Sequence, residues 1–382
     1  MNTRICTRTL ALCLSFNFAT AGATVIYDTP GTWALHEVLN DNIEIDDPDA
    51  KLIIETGGVV HAAGPAVRVR SGQVDVIGTG RVIAMPNPPP ISHLRPRAMT
   101  LGGGSTTVRL QDQATVAGEL FSDLSFGWKD ESASIKLFLQ DQSMVDGGLN
   151  YSGYLRIQDQ AIVRGGIGNA VNGNIGIDMR GGLVTGAVHL GAGNAMSLNM
   201  DGGTILGGVS GIWGDLDLHM TGGTIDGGLW TGATVRGEIS GGRIDDGVLI
   251  ASRYGSDLRI TGGQFDTSLD NWLFQFASER GSVGQSGLLE IWGGQFGYAG
   301  AGQGFLIDDL MSFSIFGRDL VYSNGWLTGY LSDGSWFSNA LTFGSNWQGT
   351  FTIHNVPEPE TIGLFLVGLV GMTLARRKVR RA

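Results

Sequence analysis

An all-β chain wound as a right-handed parallel β-helix is the fold that this sequence predicts, on three observations. Glycine supplies 62 of 382 residues, about 16% against an ordinary level of about 7%. Gly-Gly pairs recur at a nearly constant spacing. Apolar and polar residues alternate on either side of those pairs, which is the period of a strand with one buried face. Collagen is excluded because there is no G-X-Y period, and 42% apolar residues argues against disorder.

The spacing comes first. Gly-Gly pairs begin at Gly147, Gly165, Gly181, Gly202, Gly222, Gly241 and Gly262, with gaps of 18, 16, 21, 20, 19 and 21 residues, and again at Gly293. A period near 20 is the length of one solenoid coil. Two residues before the pairs stand Met179, Met200, Met220, Ile239, Ile260 and Ile291; four before stand Ile177, Leu198, Leu218, Gly237, Leu258 and Leu289. Between them lie Asp178, Asn199, His219, Glu238, Arg259 and Glu290. Beyond the pairs the apolar column resumes at Val184, Ile205, Ile225, Ile244, Phe265 and Phe296. Each repeat therefore reads as strand, Gly-Gly corner, strand and a further turn such as Gly207-Gly208. One repeat cannot bury its own apolar side, so stacking at about 4.8 Å must close the core. An antiparallel sandwich with unusually regular turns is the competing architecture.

Residues 24–318 are assigned to the solenoid. Residues 52–60 and 67–74 read as degenerate early coils, and Leu-Gln-Asp-Gln at 110–113 recurs at 139–142 and, as Ile-Gln-Asp-Gln, at 157–160. The Pro-rich stretch 86–97 is incompatible with a regular strand and reads as an inserted loop. Residues 319–355 read as a small antiparallel β cap. Asn324-Gly325 and Asp333-Gly334 are hairpin turns between aromatic runs. Tyr322, Trp326, Tyr330, Trp336, Phe343 and Trp347 are expected to pack over the final coil, with sugar stacking as the other use.

The two ends read as addresses. Arg4 and Arg8 precede an apolar run and small residues at 19–23, the form of a secretory signal peptide over 1–23. Cys6 and Cys13, the only cysteines, lie inside it, so the exported chain would have neither disulfides nor thiol chemistry. At the other end Val356-Pro357-Glu358-Pro359 precedes the apolar run 362–375 and a basic stop of Arg376, Arg377, Lys378, Arg380 and Arg381. Fourteen helical residues reach about 21 Å, against a hydrocarbon core of roughly 30 Å, which suits a transient transmembrane helix. Cations directly after it fix the cytoplasmic end.

This order of parts resembles the PEP-CTERM sorting signal of Gram-negative bacteria. The resemblance covers only the tail, 356–382. It implies recognition by a membrane-embedded exosortase and a setting of exopolysaccharide production. The expected partners are the Sec translocon, exosortase, the inner membrane through 362–375, and exopolysaccharide. The expected course is an inner-membrane-anchored precursor, then the cell surface or exterior.

Leaving out the leader's two arginines and the tail's five cations and two glutamates leaves 18 cations against 34 acids, a net charge of −16. Such a body repels nucleic acid, and none is expected as a partner. Three residues after successive pairs stand Asp226, Asp245 and Asp266, which stacking would bring to one corner. Asp in such a sequence suits turn formation. Stacked carboxylates also suit Ca²⁺, although no GGxGxD nonapeptide is present. As in pectin-degrading β-helix enzymes, clustered aspartates with Arg253 or Arg259 would suit acid–base work. The histidines are scattered, and no nucleophile elbow, zinc motif or phosphate loop is found. No catalytic residue and no cofactor is therefore assigned, Ca²⁺ at the aspartate ladder excepted. The expectation is a non-enzymatic structural or adhesive surface protein, the alternative a polysaccharide lyase or hydrolase.

Overall fold

The computed structural model describes residues 24–85, 96–102, 104–122, 135–168, 173–252, 254–267, 272–278, 286–297 and 304–356. These residues form a right-handed-like parallel β-solenoid of about 11 turns, with no helix among them. The signal peptide, the greater part of the Pro-rich loop and the transmembrane helix expected at 362–375 lie outside the described residues.

Each coil contributes strands to three faces. On the first face Val188–Leu190 pairs with Val209–Gly211, then with Leu229–Thr231 and Val248–Ser252, all parallel. The second face carries the columns that precede the Gly-Gly pairs: 175–179 lies on 194–200, which lies on Gly214–Met220, Thr234–Ile239 and Asp257–Ile260. The third face carries the short strands after the pairs, Thr224–Ile225, Arg243–Ile244 and Gln264–Phe265. The sequence reading assigned two strands to each repeat. The first-face strand was missed because three residues such as Val-Ser-Gly are too few to display a period.

The columns pack as their polarity requires. Met179, Met200, Met220, Ile239, Ile260 and Ile291 are each at most 1% exposed, and so are Val184, Ile205, Ile225 and Ile244. Asn199, His219 and Arg259 point outward. The two glycines of a pair serve different purposes. Gly182, Gly203, Gly223 and Gly242 have φ of 76°, 81°, 79° and 80°, a region that side chains with a Cβ avoid. The first glycine of each of these four pairs has ordinary φ but lies against the preceding coil. A Cβ at Gly222, Gly241 or Gly262 would run into the carbonyl oxygen of Asp201, Thr221 or Ser240.

At the C-terminal end Met311–Ser323, Trp326–Leu331 and Trp336–Phe343 form antiparallel hairpins. The predicted turns are there, with Asn324, Gly325 and Gly334 at φ of 52°, 79° and 87°. The chain then rejoins the ladder. Residues 341–343 pair in parallel with Phe305–Ile307, and Phe351–Asn355 with 313–317. The expected boundary at 318/319 thus falls inside a strand, and the hairpins are a fold-out of the last coils. Phe337 closes the core against Phe296 and Phe305, 5.4 Å from each, and the Trp347 indole N–H donates to the Met311 carbonyl at 2.8 Å. Tyr330 and Trp336 meet edge to face at 4.9 Å and remain exposed.

Candidate functional site

The last strand delivers the chain to the sorting segment. Phe351–Asn355 is held in the second-face ladder, and the Val356 N–H donates to the Gly317 carbonyl at 2.6 Å. Val356 is itself 39% exposed. Whatever follows therefore starts from a fixed point on the rim of the solenoid. Pro357, Glu358, Pro359, Arg376, Arg377, Lys378, Arg380 and Arg381 lie outside the described residues.

Stacking does bring the three aspartates to one corner. The Asp226, Asp245 and Asp266 amides donate to Ile205, Ile225 and Ile244, the same residue of each preceding coil. An arginine missed in the sequence reading sits among them. The Arg243 Nε donates to Asp245 Oδ1 at 2.6 Å, and its Nη2 lies 3.5 Å from Asp266 Oδ2. The hydrogen bond and charge of Asp245 raise the Arg243 pKa, with Asp266 and Asp226 adding to the effect. One guanidinium thus offsets much of the repulsion that a calcium ion would relieve. Among the described residues, no group of three His, Cys, Asp or Glu side chains is arranged to hold a metal ion. Next to the ladder, Asp246 and Gly247 turn with φ of 64° and 85°, as an Asp-Gly turn should.

Asp245 and Arg259 do not converge. Arg259 is on the second face, 3.3 Å from Glu290 and over the Trp292 ring at 5.0 Å. Arg253 lies outside the described residues.

The Leu-Gln-Asp-Gln recurrence marks a second aspartate ladder, which the sequence reading had not taken for a site. Asp112, Asp141 and Asp159 have φ of 58°, 58° and 59°. The Asp112 carboxylate accepts from the Gly78 amide, Asp141 from the Asp112 amide, and Asp159 from the Asp141 amide, at 3.0, 3.1 and 3.2 Å. Each carboxylate satisfies a backbone donor of the preceding coil, so these residues hold the stack together.

Arginine, aspartate and aromatic side chains gather on the second face. Asp75 is met by Lys51 Nζ at 2.7 Å and Arg109 Nη1 at 3.4 Å. Asp178 accepts from the Tyr154 hydroxyl at 2.8 Å, Arg156 Nε at 3.0 Å and Arg180 Nε at 3.1 Å. Burial opposes ionisation of Asp178. The hydrogen bonds from Arg180 and Tyr154 and the charges of Arg180 and Arg156 outweigh it, holding the carboxyl below its ordinary range. Burial raises the Tyr154 pKa, and the bond to Asp178 raises it further. A carboxylate pinned in its ionised form and a phenol pushed upward make a poor acid–base pair at neutral pH.

No characterised protein and no solved structure matches the chain. Over residues 355–381, starting in the last strand, the chain carries the PEP-CTERM protein-sorting motif, which implies an exported precursor processed by exosortase for the surface.

Proposed function

We propose that this protein is a non-enzymatic rod of the cell surface, with a structural or adhesive role in the exopolysaccharide matrix. The observation that carries the reading is the sorting motif placed at the end of the last solenoid strand. That position leaves the whole rod on the exported side of the processing point. Parallel ladders pinned by corner hydrogen bonds supply stiffness, and the net charge of −16 on the body, 18 cations against 34 acids, favours solubility. The ion-paired state of Asp178 and Asp245 favours this role over a lyase or hydrolase.

Mass spectrometry of the protein released by a host with exosortase tests the sorting step. The expected C-terminus lies between Pro357 and Glu360, and intact Ala382 outside the cell refutes it. Incubation with acidic polysaccharides tests the non-enzymatic part. No chain cleavage is expected, and cleavage lost on Asp245→Asn or Asp178→Asn would establish the enzyme instead.

A further inference from the structure

The second face changes sign along the rod. In the columns of Ser197 and Asn199, over the five rungs before them, Arg109, Lys136 and Arg156 point outward with Asp75 and Asp178, three cations against two carboxylates. Over the rungs after them, Asp217, Glu238, Asp257 and Glu290 point outward in the same columns with Arg236 and Arg259, four carboxylates against two guanidinium groups. The neutral Ser197 and Asn199 occupy the rung between the halves.

We propose that this face binds a second copy of the same chain, with the two rods antiparallel and the two-fold axis running along the strand at Ser197 and Asn199. Such an axis keeps each column opposite itself and sets equally distant rungs against each other, as an isologous contact requires. The register then makes specific pairs. Three rungs before the centre is Lys136 and three after is Asp257 in the same column. Two rungs out, Arg156 meets Glu238; four rungs out, Arg109 meets Glu290. The aromatic positions follow the same rule. Phe138 comes opposite Arg259 and Tyr154 opposite Arg236, the partners of cation–π contacts. One rung out, Asp178 meets His219. Over the ten steps from the rung of Gln73 to that of Ser312, no position in the columns of Ser197 and Asn199 sets like charges against each other, while the exposed Asp201, at the edge of the central rung, faces its own copy.

The size is adequate. Ten steps of about 4.8 Å and a strand width of about 17 Å give roughly 800 Å² per copy, the area of a standard interface. Lys136 and Asp257 are both exposed, and a contact between charged faces is sensitive to salt.

The exported protein should sediment as a dimer at low salt and dissociate as salt is raised. Lys136→Glu alone and Asp257→Lys alone each create two repulsive contacts per dimer, and each should weaken association at least about ten-fold. An equimolar mixture of the two variants sets Glu against Lys and Lys against Asp, so it should dimerise as the wild type does. Within one chain the two positions are six rungs apart, about 29 Å, so no intramolecular contact accounts for that recovery. Restored dimerisation also shows that both variants fold. A monomer at low salt, single variants that dimerise undiminished, or a mixture that stays monomeric would each overturn the proposal.

Discussion

Replacing Gly241 with Val tests the corner that defines the coil. Gly241 has ordinary φ, but a Cβ there would overlap the Thr221 carbonyl oxygen of the preceding coil. That carbonyl has little room to retreat, because the Gly222 amide of the same peptide plane donates to the Met200 carbonyl at 3.1 Å. Overpacking costs about 1–3 kcal/mol, and each ladder hydrogen bond stretched to make room costs about 1 kcal/mol. Reduced freedom of the unfolded chain offsets up to about 1 kcal/mol, leaving a net loss of about 3 kcal/mol. At about 2.1 cal/mol/K per residue the body has an unfolding entropy of roughly 0.7 kcal/mol/K, so the melting temperature should fall by about 4 °C. Gly334→Ala is the control. Gly334 has φ of 87° with nothing within 4 Å of the added carbon, so only conformational strain of about 1–2 kcal/mol applies. Thermal unfolding followed by circular dichroism should rank Gly241→Val and the equivalent Gly222→Val below this control. Unchanged melting in both valine variants would refute the close approach of coil backbones at the corner.

Calcium should raise the melting temperature no more than sodium at matched ionic strength, because Arg243 already pairs with Asp245 and Asp266. A calcium-specific gain that disappears in the Asp226, Asp245, Asp266 to Asn triple variant would make the ladder a cation site. The Asp178 carboxyl has a folded-state pKa below its unfolded value. Its contribution to stability is therefore complete above the ordinary carboxylate pKa of about 3.9 and is lost as pH falls through the lower folded value. Denaturant unfolding from pH 6 down to about pH 2.5 should show this acid loss reduced in Asp178→Asn, which also lowers stability at neutral pH by removing the negative charge that Arg156 and Arg180 pair with. An identical pH dependence in the variant would refute the assignment.

The one-dimensional pattern determined the solenoid, because like residues of successive coils stack and a 20-residue period is visible without coordinates. The Gly-Gly corners, the buried methionine and isoleucine columns, the Asn-Gly and Asp-Gly hairpins and the Pro-Glu-Pro tail were legible for the same reason: each depends on residues adjacent in the chain. Three-residue strands such as Val209–Gly211 were not, since they are shorter than any period that could reveal them. Only the tertiary structure placed Arg243 between Asp245 and Asp266, carried Phe351–Asn355 back into the ladder, and put Lys136 and Asp257 in one column six rungs apart. Those relations depend on lateral register, which irregular insertions between coils shift by amounts that no local residue records.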